Sequence, residues 1–206
     1  MASLLIRGFA LGFAIAASPG PIFFLCLRRS LLRGWLIGLV SGLGVATADA
    51  AYAAVAVFGI AALSTILLGG ERWLELFGGA ALILLGIRSV LEQPRIGEAS
   101  TAATGRGLLW AYASTLGLTI TNPATIISFA ALAAALGAGL AGGFGRPAVV
   151  VLGVALGSAS WWCLLALLAA MLRTRVTPDV ARAIGIVSGL AIAGLGALAV
   201  AAAVGK

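Results

Sequence analysis

Apolar residues run along this chain in six long stretches, Leu4 to Leu27, Trp35 to Leu63, Trp73 to Leu91, Gly107 to Gly137, Pro147 to Leu172 and Asp179 to Val204, with short polar connectors between them. About 20 apolar residues in helical geometry cross the hydrocarbon layer of a bilayer, so each stretch predicts a transmembrane helix. The last has a clear start signal, with Thr177 as cap, Pro178 at the first helical position and Asp179 against the helix dipole. Trp35, Trp73 and Trp110 stand at the openings of three stretches, where interfacial anchors belong. Ala14-Ile15-Ala16 resembles a signal-peptidase site. Only Arg7 precedes it, however, and the apolar run continues to Leu27, so the first helix is expected to be retained.

The connector Glu92 to Arg106 ("EQPRIGEASTAATGR") is the one long polar stretch and divides the chain into halves of three helices. The expected organisation is a single transmembrane domain over residues 1–206, with repeat one at about 4–91 and repeat two at about 107–204. An odd number of helices per half makes the second half run opposite to the first, so the two repeats are inverted. Each half opens with a helix interrupted at proline, "SPGP" at 18–21 and "TNP" at 121–123, followed by a helix with a GxxxG step, Gly38/Gly42 and Gly153/Gly157. The spacing from break to glycines differs, 19 residues from Pro19 to Gly38 and 30 from Pro123 to Gly153, which makes the correspondence one of topology. Residues 136–147, "LGAGLAGGFGRP", are expected to form a glycine-rich turn.

Composition sharpens the class. The 206 residues are 62% hydrophobic and 9% charged, and 19 charged side chains cannot coat a soluble core of this size. The net charge of +7 is scattered over connectors without a basic stripe beside aromatics, so no nucleic-acid partner is expected. Arg28, Arg29, Arg33, Arg88, Arg95, Arg106, Arg173, Arg175 and Arg182 follow helices one, three and five, against Arg7, Arg72, Arg146 and Lys206 on the other side. Nine against four places both termini outside, with Arg28, Arg29 and Arg33 read as cytoplasmic anchors. There is no histidine, and Cys26 and Cys163 form no CxxC pair, so no cofactor or resident metal is expected.

Three features carry candidate chemistry. Pro19 and Pro21 flank Gly20 and free backbone groups at membrane depth, where they are tolerated if they line a cavity or meet protein. The free carbonyls suit an ammonium, and the new helix N-terminus suits a carboxylate. The fourth stretch has 31 residues, about 46 Å of helix, too long to span without tilt or break. Asn122 before Pro123 marks the break, with Thr119, Thr121 and Thr125 as polar partners. Asp49 is the sole acidic residue deep within a stretch, a costly position that marks a pathway by default. Tyr52, three residues on, shares its helix face. A structural salt bridge or a permanently protonated side chain is the competing use of Asp49. The glycine steps and Trp161/Trp162 are read as packing.

Together "SPGP", "RSLLRGWLIGLVSGLGVATADAAYAAVAVFGIAAL", "FGGAALILLGIRSV" and "LTITNPATIISFAAL" resemble the lysine exporter (LysE/RhtB-type) family of bacterial amino-acid exporters, most closely over residues 7 to about 135. The resemblance implies a six-helix inner-membrane translocator, not an enzyme, that exports amino acids or related small metabolites using the proton-motive force. By position, Pro19, Gly20 and Pro21 match the first-helix motif, Asp49 the second-helix acid, and Asn122 with Pro123 the fourth-helix break. One departure stands out: relatives often carry Asn after the second proline, and here it is Ile22. Two other readings stay open, export of an inorganic cation and a thiol relay through Cys26 and Cys163. Monomer and homodimer are both open as the functional unit.

Overall fold

The computed structural model describes residues 1–58, 71–91, 105–122, 125–126, 128–129, 145–173, 175 and 177–204. Among these residues the fold is all-helical. Its elements are α1 (Ala2–Ala16), α2 (Pro21–Arg33), α3 (Trp35–Phe58), α4 (Glu71–Leu91), α5 (Gly105–Ile120), α6 (Gly145–Arg173) and α7 (Pro178–Val204). Three helices, α3, α6 and α7, are each long and apolar enough to cross a bilayer, and α4 carries an apolar stretch over Gly79–Leu91.

The first apolar stretch is two helices that meet at 81°. α1 ends where the N–H of Ala17 bonds the carbonyl of Phe13 and that of Ser18 bonds Ile15. Gly20 is extended, and Pro21 then opens α2 at a position where a missing N–H costs nothing. α2 ends at Gly34, whose φ of 103° is open to glycine and strained for other residues, and α3 starts at the next residue. α5 stops at Ile120, ahead of the second break, and the N–H groups of Thr125 and Ile126 return to the carbonyl of Asn122. Pro123 lies outside the described residues, as do most of the connector and residues 136–144 of the expected turn. Gly145, Arg146 and Pro147 of that expected turn instead open α6. Thr177 caps α7 as expected, its Oγ1 accepting from the N–H of Val180 at 3.3 Å.

Small residues let these helices touch backbone to backbone. A Cβ on Gly8 of α1 would lie 2.5 Å from the carbonyl oxygen of Val150, and one on Gly153 of α6 would lie 2.5 Å from that of Leu5. The numbering advances together along that contact, so α1 and α6 run parallel. α3 and α5 are parallel in the same way, with Thr115 Oγ1 donating to the carbonyl of Ser41 at 2.6 Å and Tyr52 bonding Ile120. α4 and α7 pack antiparallel, Gly86 against Gly189 and Gly79 against Gly196. α3 and α6 are antiparallel too, Gly42 against Trp162 and Asp49 against Ser158. Large apolar side chains such as Leu84, Leu167, Leu190 and Leu198 point outward, while serines and glycines fill the contacts. That distribution suits a bundle surrounded by lipid, where close backbone approach replaces the hydrophobic drive. Trp35, Trp73 and Trp110 are exposed, as anchors would be.

Candidate functional site

The break between α1 and α2 forms one wall of a cavity of about 90 Å³. Ala16, Ser18, Pro19, Gly20, Pro21, Ile22 and Phe23 line it from the break. Asp49 and Val45 close it from α3, Thr119 and Asn122 from the end of α5, and Trp162 from α6. Thr125 and Ser128, just past the second break, complete its polar side. Six of the sequence-predicted residues therefore share one cavity: Pro19, Gly20, Pro21, Asp49, Thr119 and Asn122. Thr121 and Tyr52 fall outside its lining, and Pro123 outside the described residues.

At the break, α2 starts without a side-chain cap, and its first backbone bond runs from the N–H of Phe24 to the carbonyl of Gly20 at 3.2 Å. The N–H groups of Ile22 and Phe23 thus have no acceptor within their own helix. They form the positive end of the α2 dipole at the cavity wall. Ile22, the departure from the resembled family, is buried in that wall.

Asp49 is 2% exposed. Its Oδ2 accepts a hydrogen bond from Ser158 Oγ of α6 at 2.6 Å. Tyr52, three residues on, bonds elsewhere, its hydroxyl donating to the carbonyl of Ile120 across the α3–α5 contact. No cation pairs with Asp49 among the described residues, so the alternative of a structural salt bridge finds no support there. A carboxylate at bilayer depth costs about 2.5–3.5 kcal/mol on insertion scales. One hydrogen bond to a charged group returns about 1.5–3 kcal/mol, so the single serine leaves Asp49 open to a further cation or proton.

The polar side chains around the second break are largely engaged locally. Thr119 Oγ1 donates to the carbonyl of Thr115 at 2.7 Å, and Thr121 Oγ1 to that of Gly117 at 3.1 Å. Asn122 Nδ2 donates to Thr125 Oγ1 at 3.1 Å. Each hydroxyl that donates backward keeps lone pairs for a second partner. Thr119, Asn122 and Thr125 all line the cavity.

Two of the arginines expected as cytoplasmic anchors are buried inside the bundle. Arg28 is 7% and Arg29 5% exposed, whereas Arg33 is exposed as expected. Arg29 donates to Ser41 Oγ (3.0 Å), the carbonyl of Ala111 (3.1 Å) and Ser114 Oγ (2.9 Å), joining α2 to α3 and α5. Arg28 reaches the carbonyl of Ser89 on α4 at 3.5 Å. Ser41 lies eight residues before Asp49, so this layer sits about 12 Å along α3 from the carboxylate. Without these two residues the charge count becomes seven against four. The sequence signal for Ser158 was weak, because a helical serine commonly bonds its own preceding turn. Cys26 is buried and Cys163 half-buried, and neither lines the cavity.

The pattern that defines LysE type translocators matches residues 13–202 of this chain. The chain is also similar to the chemotactic transduction protein ChpE of Pseudomonas aeruginosa, at 30% identity over 141 residues. That alignment covers 66% of this chain and 66% of the relative's length. No solved structure matches.

Proposed function

Because the chain belongs to the LysE type translocator family, we propose that it exports amino acids or related small metabolites across the bacterial inner membrane, coupled to proton movement. It is a multi-pass membrane transport protein. The observation that carries the finer reading is Asp49, a buried carboxylate with one neutral partner among the described residues, in the same cavity as the N-terminus of α2, which has no side-chain cap. An acceptor-only group and the helix-initial N–H groups of Ile22 and Phe23 beside one small cavity are the complement of a zwitterion. The α2 N-terminus receives the carboxylate, Asp49 meets the ammonium or exchanges a proton, and Thr119, Asn122 and Thr125 hold the remaining polar atoms. No bond is made or broken in the solute.

Packing supports an inverted repeat as the machinery. Exchange α1 with α5, α3 with α6 and α4 with α7, and the four most extensive helix pairs map onto one another. The parallel α1/α6 pair becomes the parallel α5/α3 pair, while the antiparallel α3/α6 and α4/α7 pairs map onto themselves. The helices that precede the two breaks are 15 and 16 residues long, and both breaks reach the same cavity. In this reading the two halves rock about that cavity, with both termini outside. The test is transport in proteoliposomes of a panel of the L-amino acids, with and without an imposed proton gradient. Gradient-stimulated movement of at least one amino acid is expected; no movement of any refutes the reading.

A further inference from the structure

α6 turns two side chains toward α3 one helical turn apart. Ser158 reaches Asp49, and Trp162, about 6 Å further along the axis, lies against the backbone of α3 at Gly42. A Cβ on Gly42 would sit 2.7 Å from Cγ of the indole, so the missing side chain is what admits the ring. Trp162 is 3% exposed and lines the cavity. Its Nε1 is buried and has no hydrogen-bond partner among the described residues.

A buried donor without an acceptor is unfavourable, and more so inside a bundle that lipid surrounds. The indole N–H donates and cannot accept, so the group that satisfies it carries a lone pair. Asp49, Trp162 and the N-terminus of α2 line the same cavity, so a zwitterion there can turn its ammonium to Asp49 and its carboxylate to the α2 N-terminus and the indole together. We propose that Trp162 is a solute-binding residue whose indole N–H donates to the carboxylate of the transported amino acid. The inference rests on the reading of the cavity as the solute site. It adds a recognition role to α6, a helix that otherwise contributes packing and the partner of Asp49.

Trp161 supplies the internal control. Its Nε1 is also buried without a partner among the described residues, yet Trp161 does not line the cavity and packs edge-on to Phe13 at 5.3 Å. In proteoliposomes given a panel of the L-amino acids, Trp162→Phe keeps the ring and removes the donor. For the best-transported amino acid its KM is expected to rise by about tenfold or more, with Vmax little changed. Trp161→Phe leaves both as in the parent protein. Transport of the matching decarboxylated amine, if the parent protein moves it, is equal in Trp162→Phe and parent. A folded Trp162→Phe protein with unchanged KM for the amino acid overturns the proposal, as does an equal loss for amino acid and amine.

A second measurement holds even if that variant fails to fold. With Trp35, Trp73, Trp110 and Trp161 replaced by Phe, Trp162 emission shifts to the red on saturation with the same amino acid; no shift overturns the proposal. If the parent protein moves none of the amino acids, the function reading itself has failed. Transport by the parent with no effect at Trp162 removes this inference alone.

Discussion

Ser158→Ala removes one hydroxyl and nothing else from the α3–α6 contact. The oxygen lost is the one that donates to Asp49 Oδ2 at 2.6 Å, and Ser158 is fully buried, so water does not simply replace it. Alanine fits the space, and the backbone contacts of Gly153 and Gly157 with α1 are untouched. A hydrogen bond to a charged group contributes about 1.5–3 kcal/mol. At 1.4 kcal/mol per factor of ten, the expected loss in Vmax/KM for amino-acid efflux is about ten- to a hundredfold. The assay is initial efflux from preloaded proteoliposomes, with protein per vesicle matched by quantitative blotting. Ser188→Ala is the control, because that hydroxyl bonds the carbonyl of Ile184 in its own helix and has no part in the cavity. Efflux by Ser158→Ala within about twofold of the parent, well under the change such a bond implies, refutes the claim that Ser158 positions Asp49.

Three further outcomes follow from the packing. Gly153→Val places a side chain against the carbonyl of Leu5 and the backbone of Phe9, and overpacking of about 1–3 kcal/mol is expected to lower the thermal midpoint in detergent; Gly194→Ala, which meets nothing within 4 Å, leaves it unchanged. Arg29→Met is expected to fold with its thermal midpoint preserved, since burying a guanidinium among neutral partners is itself costly and the carbonyl of Ala111 keeps the hydroxyls of Ser114 and Thr115; a clear fall in the midpoint would contradict this. Ile22→Asn puts an amide into the cavity wall and is expected to shift the ranking of transported amino acids toward polar side chains, read from competition assays; an unchanged ranking counts against Ile22 as a selectivity position.

The two breaks and Asp49 were legible in the sequence because their physics is local. Proline removes a donor wherever it stands, and an acid within an apolar run is conspicuous in any fold. The GxxxG correspondence was not so readable: Gly153 and Gly157 pack on α1, whereas Gly38 meets Ser30 and Gly42 meets Trp162. Arg28 and Arg29 are buried for a geometric reason that the sequence does not show. A straight first helix would carry them past the bilayer into a connector, but the 81° turn at the break keeps α2 against the bundle and buries them. The Ser158 and Trp162 contributions depend on which face of α6 meets α3, a tertiary choice that apolar periodicity leaves open in a helix apolar on all sides. The hydroxyl of Tyr52 is held by α5, a partner 68 residues away that spacing along α3 does not show.

Asp49 stands at the centre of the account, and Asp49→Asn tests it most directly. The substitution preserves size and the contact with Ser158 while removing both the charge and the exchangeable proton of the carboxyl group. Efflux of the best-transported amino acid from proteoliposomes under an imposed proton gradient is the measurement, with membrane insertion and thermal midpoint checked in parallel. Export is expected to be abolished while the protein remains inserted and folded; efflux at the parent rate would contradict the account.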